Sequence, residues 1–215
     1  MFKNLPQTVF ITGVGTEIGK TYFLQKLAQH LTSIKQNFNI IKPIASGIEI
    51  DDQNSDCAII LKILNQKLTT KNIKKITPYC FKAPISPNMA ANLENSPINF
   101  EQLVNFCQKN IESSKKNNQN LLIEGAGGLM TPITNNKTFL DLIKALNVPI
   151  ILITTNQLGS ISHTLTYYNY AQSQKIKIHQ VILNQVEENQ INIQELQKTI
   201  QTLIPCASIG TLQKE

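Results

Sequence analysis

Residues 8–21 read TVFITGVGTEIGKT, and this stretch decides the fold. A short apolar run is followed by a glycine-rich turn, and a helical stripe begins with Leu24 soon afterwards. A phosphate-binding loop needs glycine so that backbone N–H groups can curl around oxygens, a lysine that reaches the outer phosphates, and a hydroxyl that binds Mg²⁺. Gly19, Lys20 and Thr21 supply these three features, so the stretch predicts a strand, a phosphate-binding loop and a helix.

The spacing of this loop is that of a variant. In the strict GxxxxGK[ST] pattern the first glycine would stand at Val14, whereas Gly13 lies one residue earlier. A glycine turn that merely caps a buried helix is the structural alternative. A dinucleotide-binding loop is rejected, because the third glycine comes one residue late for GxGxxG. In addition, no Asp or Glu occurs between Glu17 and Glu49, where a ribose-binding carboxylate is required.

Strand-like and helix-like segments alternate along the rest of the chain. Short β-branched runs predict strands at 8–12, 39–42, 120–124, 149–154 and 180–184. Apolar stripes with a period near 3.6 predict helices over 24–34, 56–66, 100–111, 139–146, 160–172 and 193–203. Continuous apolar strands between helices indicate a three-layer α/β fold, a mostly parallel sheet with helices on both faces. We expect one domain over 1–215, with loops near a site at 44–55 and 78–97.

Composition narrows the classes of protein further. The chain has 215 residues, 41% hydrophobic and 16% charged, and no apolar run long enough to span a membrane, so we expect no membrane partner. Its four cysteines lie far apart without a CxxC pair and its three histidines are scattered, which predicts neither a zinc cluster nor a disulfide framework. Isolated thiols suit the reducing cytoplasm.

The basic residues do not indicate a nucleic-acid partner. The net charge is +6, but all 20 basic residues are lysines spread along the chain. Arginine is the usual bidentate reader of guanine, so we expect no nucleic acid to bind. Without arginine, lysines, backbone N–H groups and a metal ion must hold phosphate.

Several polar residues follow predicted strands, where ligands of open α/β sheets bind. Lys42 begins KPIASG, Asp56 ends NSD, Glu124 begins EGAGG, and Ser160 lies within QLGSISH at 157–163. Each also has an ordinary structural interpretation. Lys42 could be solvated, Ser55 or Asp56 could cap a helix, a lysine could balance Glu124, and Ser160 could cap the next helix.

Taken together, these segments resemble the dethiobiotin synthetase family. The resemblance runs in order over nearly the whole chain and is carried by GVGTEIGKT at 13–21, KPIASG at 42–47, NSD at 54–56, PYCFKAPISPN at 78–88, EGAGG at 124–128 and QLGSISH at 157–163. It implies a P-loop α/β fold, usually a homodimer with its site at the interface. It also implies closure of a ureido ring on 7,8-diaminopelargonate with CO2, ATP and Mg²⁺, by way of a carbamate and a carbamic-phosphoric anhydride.

The same resemblance implies roles for individual residues. Lys20, Lys42 and Thr16 would be catalytic, and the Mg²⁺ ligands would be Thr21, Asp56 and Glu124. The diamine or carbamate would be bound by Thr16, Glu17 and Ser46, and its carboxylate, from the other subunit, by Gly159, Ser160, Ile161 and Ser162. ATP would be bound by Glu17, Ile18, Gly19, Lys20, Thr21, Tyr22, Asp56, Glu124, Gly125, Ala126, Gly127, Asn184 and Gln185, with Asn184 reading adenine as both donor and acceptor.

Two positions depart from the family pattern. Gln213 stands where a proline commonly flanks the adenine, and Ser162 stands where asparagine is frequent. The first departure bears on nucleotide selectivity, and the second bears on one contact to the substrate carboxylate.

Two other functions compete with this interpretation. A partitioning or septum-positioning ATPase uses a similar loop, but usually has a second lysine early in it, whereas this chain has Val14, Gly15 and Thr16 there. The membrane-binding type needs a basic amphipathic helix near the C-terminus, but residues 199–215 are interrupted by Pro205 and contain one lysine. Another amide- or ring-forming ligase of cofactor synthesis would carry the same phosphate and metal residues.

Overall fold

A central sheet of six parallel strands is covered by helices on both faces, as the sequence predicts. The computed structural model describes residues 4–49, 51–186, 191–205 and 207–213. Its strands are β1 (Thr8–Gly13), β2 (Phe38–Ile41), β3 (Ile44–Ala45), β4 (Tyr79–Cys80), β5 (Asn120–Glu124), β6 (Ile150–Thr155), β7 (Ile178–Asn184) and β8 (Ile209–Leu212). Its helices are α1 (Lys20–Ser33), α2 (Asp56–Ile63), α3 (Thr70–Ile76), α4 (Pro87–Leu93), α5 (Phe100–Lys116), α6 (Phe139–Leu146), α7 (Ser160–Ser173) and α8 (Ile193–Leu203).

The strand order places the predicted site residues along one edge. The order is β2-β5-β1-β6-β7-β8, and every pairing in this sheet is parallel. All six strands therefore end at the same edge, where ligands of open α/β sheets bind. Ile11 of β1 pairs with Glu124 of β5, and Ile41 of β2 pairs with Ile123, so Lys42 and Glu124 leave adjacent strands beside the loop that follows β1.

Apolar residues of the central strands separate onto two faces. Phe10, Leu121 and Ile123 pack with α5 and α6 in one cluster, and Val9, Ile11 and Leu122 pack with α1 and α2 in another. Successive strand residues point to opposite faces, so a strand buried on both sides is apolar throughout. This explains why β1, β5 and β6 are buried at every residue.

The structure corrects several predicted boundaries. The helix predicted over 56–66 ends at Ile63, and Ile34, assigned to a buried stripe, is 56% exposed because α1 ends one residue earlier. The predicted loops at 44–55 and 78–97 contain the paired strands β3 and β4 and the helix α4. Two-residue strands are too short to show a period of two, so alternation cannot reveal them.

Two further elements were not predicted. Helix α3 has the sequence TKNIKKI, whose two buried residues, Ile73 and Ile76, are too few to define a stripe. Strand β8 pairs at the far edge of the sheet with β7. Within the described residues, no helix is both long enough and apolar enough to cross a lipid bilayer.

Candidate active site

The loop between β1 and α1 is held in a curled conformation by its own chain. The Val14 N–H donates to the Ile153 carbonyl at 3.0 Å, and the Lys20 Nζ donates to the Gly15 carbonyl at 2.9 Å. Gly19, the residue before α1, has a φ of 86°. The lysine of the predicted phosphate site therefore closes the loop on itself. The N-terminus of α1 faces the same space, which favours an anion there.

Gly19→Ala is expected to destabilise the protein by about 1 to 3 kcal/mol, because left-handed backbone strains a residue with a Cβ. A Cβ at Gly19 would also lie 2.0 Å from Asn184 Nδ2, forcing that amide to move. Gly15→Ala is the matched control, since its Cβ would meet only Ile18 Cγ2, at an ordinary 3.8 Å. Denaturant unfolding of the two variants checks this expectation, and equal stabilities would contradict it.

Four side chains converge beside the loop. The Lys42 Nζ donates to Asp56 Oδ2 at 2.6 Å and to Glu124 Oε1 at 2.7 Å. The Thr21 Oγ1 lies 2.7 Å from Asp56 Oδ1 and 2.8 Å from Glu124 Oε1. Residues from the ends of β2 and β5 and from the starts of α1 and α2 thus form one connected cluster, which we call the carboxylate cluster: Thr21, Lys42, Asp56 and Glu124.

The charges within the carboxylate cluster shift its pKa values. Burial alone would lower the pKa of Lys42, but the charges of Glu124 and Asp56 outweigh burial and hold that pKa above its ordinary value. Burial would raise the pKa of Asp56, but Lys42 and the Thr21 hydroxyl hold it below the ordinary value. Burial and the charge of Lys42 lower the pKa of Lys20 to about 8. The cluster thus keeps its lysine charged and Asp56 ionised.

The carboxylate cluster fits a divalent cation. A hydroxyl has one proton, so Thr21 cannot donate to both carboxylates at once. Glu124 is fully buried, and its Oε2 has no hydrogen-bond partner among the described residues. Mg²⁺ is usually bound by one or two carboxylates together with water and substrate phosphates. The described residues hold no group of three or more His, Cys, Asp or Glu suited to a metal, so phosphate oxygens and water would complete such a site.

The structure decides between the ordinary interpretations of these residues. Ser55 is the N-cap of α2, accepting from the Ala58 N–H at 3.2 Å, which leaves both oxygens of Asp56 for the cluster. Lys42 is not solvated but 3% exposed. A lysine does balance Glu124, because Lys42 is paired with its Oε1. The other oxygen, Oε2, has no hydrogen-bond partner among the described residues, so the pairing leaves the metal interpretation open.

The structure brings only some of the residues predicted to bind the diamine into similar surroundings. The Ser46 and Ser160 hydroxyls are buried without a hydrogen-bond partner in the described part of the chain, whereas Thr16 and Glu17 are exposed. Ser160 does not cap α7, since Gly159 is the N-cap and no side chain bonds there. Strand β6, which leads to Ser160, is three strands from β2, about 14 Å along the sheet.

The exposure of segment 159–162 is uneven. Ser160 is buried, Ile161 is half-buried, and Gly159 and Ser162 are exposed, as is His163. Ser160 is held in place by Thr164, one turn further along α7, whose hydroxyl donates to the Ser160 carbonyl at 2.6 Å. The segment thus reaches the surface at Gly159 and Ser162, whereas Ser160 between them is enclosed.

The nucleotide-base residues lie at the ends of β7 and β8. The Asn184 Nδ2 donates to the Ile18 carbonyl at 3.0 Å, and Asn184 Oδ1 is buried with no partner among the described residues. This bond uses one of the two amide hydrogens, so a second donor hydrogen and the acceptor Oδ1 remain for the donor-and-acceptor role that is expected of Asn184. Nearby, the Gln185 N–H donates to the Leu212 carbonyl at 2.8 Å, and the Tyr22 hydroxyl contacts the Gln213 carbonyl at 3.5 Å.

The second glycine loop packs against the first strand. The Gly125 N–H donates to the Ile11 carbonyl at 2.9 Å, while Ala126 and Gly127 are half-buried beyond it. The Gly128 N–H donates to the Thr131 Oγ1 at 2.9 Å. Thr131 was missed by the sequence reasoning, because nothing in a lone threonine signals that it shapes a loop three residues earlier.

Asn156, at the end of β6, is a second residue that the sequence reasoning missed. It is 1% exposed, accepts from the Val186 N–H and donates to the Ile191 carbonyl, each at 3.2 Å. It therefore ties the chain after β7 to the end of β6. Val186 directly follows Gln185, so Asn156 anchors the chain next to the two residues predicted to bind the base.

Solved structures share the fold at low sequence identity. The MinC:MinD cell division protein complex of Aquifex aeolicus aligns with 98% of this chain and 82% of its own, with a TM-score of 0.60 at 13% identity. A ParA family ATPase from Chlorobium tepidum aligns with 98% of this chain and 86% of its own, with a TM-score of 0.56 at 13% identity. Identities this low show a common P-loop fold and nothing further.

Sequence comparisons identify the family. A family described as AAA domain matches residues 7–214. The ATP-dependent dethiobiotin synthetase of Methylobacterium nodulans is 34% identical over 83% of this chain and 80% of its own. The enzyme of the same name from Bacillus subtilis is 32% identical over 84% of this chain and 75% of its own. The enzyme of that name from Methanocaldococcus jannaschii is 33% identical over 82% of this chain and 78% of its own. This chain belongs to the ATP-dependent dethiobiotin synthetase family.

Proposed function

We propose that this protein is an ATP-dependent dethiobiotin synthetase that carboxylates 7,8-diaminopelargonate with CO2 and closes the ureido ring, releasing ADP and phosphate. The observation that carries the proposal is the meeting of Lys20, Lys42 and the carboxylate cluster at one end of the parallel sheet. The family identity of the relatives supports the substrate. The reaction belongs to biotin synthesis, and we propose that it takes place in the cytoplasm.

The reaction needs charge stabilisation more than a protein nucleophile. One amine of the diamine captures CO2 as a carbamate, whose oxygen attacks the γ-phosphate of ATP. The second amine then displaces phosphate from the mixed anhydride and closes the ring. Every species on this path is anionic, so preorganised cations at the reacting end lower the barrier.

Lys20 and Lys42 would supply those cations. The Lys20 Nζ can leave the Gly15 carbonyl for a phosphate oxygen, because the loop already surrounds that space. Lys42 is fixed by two carboxylates, so its ammonium is oriented before substrate arrives. Thr16, the exposed loop threonine, would contact the carbamate. These groups bind and orient; none of them needs to form a covalent bond.

Thr21, Asp56 and Glu124 would hold Mg²⁺, for which the unpartnered Glu124 Oε2 is the supporting observation. When bound, the ion would neutralise charge on the phosphates of ATP. Lys42 donates to both carboxylates, so it would compete with the ion for the same oxygens.

The active form would be a homodimer. The buried, unpartnered Ser160 hydroxyl and the exposed start of α7 are the supporting features, because helix N-termini bind carboxylates. Since β6 ends about 14 Å from β2 in the same sheet, segment 159–162 would serve the site of the partner subunit. There it would hold the carboxylate end of the diamine in the absence of any arginine.

Ser160→Ala is expected to raise the KM for the diamine about tenfold while leaving the KM for ATP nearly unchanged, because a hydrogen bond to a charged group contributes about 1.5 to 3 kcal/mol. Steady-state kinetics with each substrate varied in turn measures both constants. Ser173→Ala, at the other end of the same helix, is the control variant. Equal changes in the KM for the diamine and the KM for ATP would show that Ser160 does not bind the diamine.

The decisive experiment is dethiobiotin formation from 7,8-diaminopelargonate, labelled bicarbonate, ATP and Mg²⁺. Labelled product is expected with the wild-type chain and is expected to vanish with Lys20→Ala. Omission of Mg²⁺ should also abolish product, and the addition of Mg²⁺ should restore it. Phosphate release that does not depend on the diamine would overturn the proposal and favour a switch ATPase. Phosphate release that needs a different amine would indicate another ligase.

A further inference from the structure

Two buried hydroxyls meet between β6 and α7. Thr154 is the second-last residue of β6, Thr164 lies in the second turn of α7, and both are 0% exposed. Their Oγ1 atoms lie 2.9 Å apart, and the Thr164 Oγ1 also lies 2.6 Å from the Ser160 carbonyl. We call Thr154 and Thr164 the threonine pair. It joins the end of a central strand to the first residue of α7.

The number of protons fixes the direction of these two hydrogen bonds. A hydroxyl has one proton and a carbonyl can only accept, so the Thr164 proton goes to the Ser160 carbonyl. The Thr154 proton then goes to the Thr164 oxygen. The two bonds thus run in one direction, from Thr154 through Thr164 to the backbone of Ser160.

Packing alone does not account for hydroxyls at these two positions. Leu152, two residues before Thr154, and Tyr168, four residues after Thr164, are buried in the apolar cluster between β6, β7 and α8. Valine has nearly the shape of threonine, and taking a hydroxyl out of water costs free energy. Two valines would therefore fill the same space without that cost, so the threonine pair is better explained by the backbone that it holds.

That backbone is fixed on both sides of Ser160. The Ser160 N–H donates to the Gln157 carbonyl at 3.1 Å, and the Ser160 carbonyl accepts from Thr164. The Ser160 hydroxyl, in contrast, is buried with no partner among the described residues. The polar backbone groups of Ser160 are thus bonded within the chain, and its side-chain hydroxyl is the polar group that remains available to a ligand.

The strand that holds segment 159–162 also holds the loop between β1 and α1. Ile153, the residue before Thr154, accepts from the Val14 N–H of that loop at 3.0 Å. Consecutive residues of β6 therefore hold the two parts of the chain that the proposed function places at opposite ends of a substrate site.

We propose that the threonine pair positions segment 159–162 to bind the carboxylate of the diamine, by fixing the Ser160 backbone relative to β6. In this role neither threonine touches the substrate, so both are positioning residues. A binding group that is fixed before its ligand arrives loses less freedom on binding, so losing the threonine pair weakens diamine binding in particular. This inference rests on the proposed role of segment 159–162 in the diamine site.

The test is steady-state kinetics of the full chain carrying both Thr154→Val and Thr164→Val. The double variant leaves neither threonine hydroxyl unpaired, so its stability should stay close to that of the wild type. Its KM for the diamine is expected to rise about fivefold, the usual effect of losing one hydrogen bond between neutral groups, with kcat and the KM for ATP nearly unchanged. Thr164→Ser keeps the hydroxyl and should keep the wild-type constants. Thr166→Val, at an exposed position of α7, is the matched control.

Hydrogen exchange provides a measurement that does not depend on activity. In the double variant, the amides at the start of α7 are expected to exchange about fivefold faster than in the wild type, because the bond that holds the Ser160 carbonyl is missing. Mass spectrometry of the fragment that contains residues 159–164 measures this rate. An unchanged rate would overturn the positioning role.

Ser160→Ala, assayed in parallel, distinguishes failure of this inference from failure of the proposed function. If Ser160→Ala raises the KM for the diamine and the double variant does not, the positioning role is wrong and the proposed diamine site stands. If neither variant raises it, both are wrong. An equal rise in the KM for ATP, or a Thr164→Ser protein as impaired as the double variant, would also overturn the positioning role.

Discussion

Lys42→Met is expected to lower the free energy of unfolding of the nucleotide-free protein by about 3 to 5 kcal/mol, the usual cost of leaving a buried charge unpaired. Glu124 is fully buried and takes its hydrogen bond from Lys42 at 2.7 Å. Without the ammonium, two carboxylates face each other across Thr21. Denaturant unfolding without Mg²⁺ measures the change.

A double variant isolates the cause. Lys42→Met with Glu124→Gln removes both charges, so most of the lost stability should return. Lys62→Met, an exposed lysine on α2, is the control and should change little. If the double variant were as unstable as Lys42→Met alone, loss of packing rather than an unpaired charge would be responsible.

Turnover by Lys42→Met is expected to fall by about 10²- to 10³-fold, the usual effect of removing one preorganised group that stabilises a developing anion. The assay is run with saturating Mg²⁺-ATP, which should itself restore part of the stability because a bound cation replaces the missing charge. Turnover near the wild-type value would show that Lys42 has no role in the reaction and serves only as a structural counter-ion.

The sequence predicts the positions of this site better than its contacts. Lys42, Asp56 and Glu124 could be found because each follows or begins a regular element, and parallel strands end at one edge. The contact between Lys42 and Glu124 depends on β2 lying beside β5. No local sequence pattern predicts that strand order. The pairing of β3 with β4 is unpredictable for the same reason, because each of these strands is only two residues long.

Two residues make contacts that their residue type alone does not predict. Asn184 is expected to offer both donor and acceptor to a base, and in the structure one of its two amide hydrogens also goes to the Ile18 carbonyl of the loop. Ser160 could have capped α7, but Gly159 is the N-cap of that helix and no side chain bonds there. The neighbours of a residue in the fold decide which of its polar atoms are already bonded, and the sequence around that residue does not show them.

Lys20→Met is expected to reduce turnover by about 10³-fold, since it removes the only described loop cation that can reach the outer phosphates. Its effect on stability should be opposite to that of Lys42→Met. The pKa of Lys20 is lowered to about 8, so the fold disfavours its charged form. That cost is fully present below pH 8 and disappears as pH rises through the unfolded value near 10.5.

At neutral pH the Lys20→Met protein should therefore be at least as stable as the wild type while nearly inactive. Unfolding and single-turnover product formation, measured on the same preparation, separate the two properties. The exposed Lys109→Met on α5 is the control for both measurements. An unstable Lys20→Met protein would mean that its bond to the Gly15 carbonyl supports the loop. Normal turnover would mean that phosphate is held by the backbone of residues 13–19 and by Lys42, because these are the groups that remain around the loop.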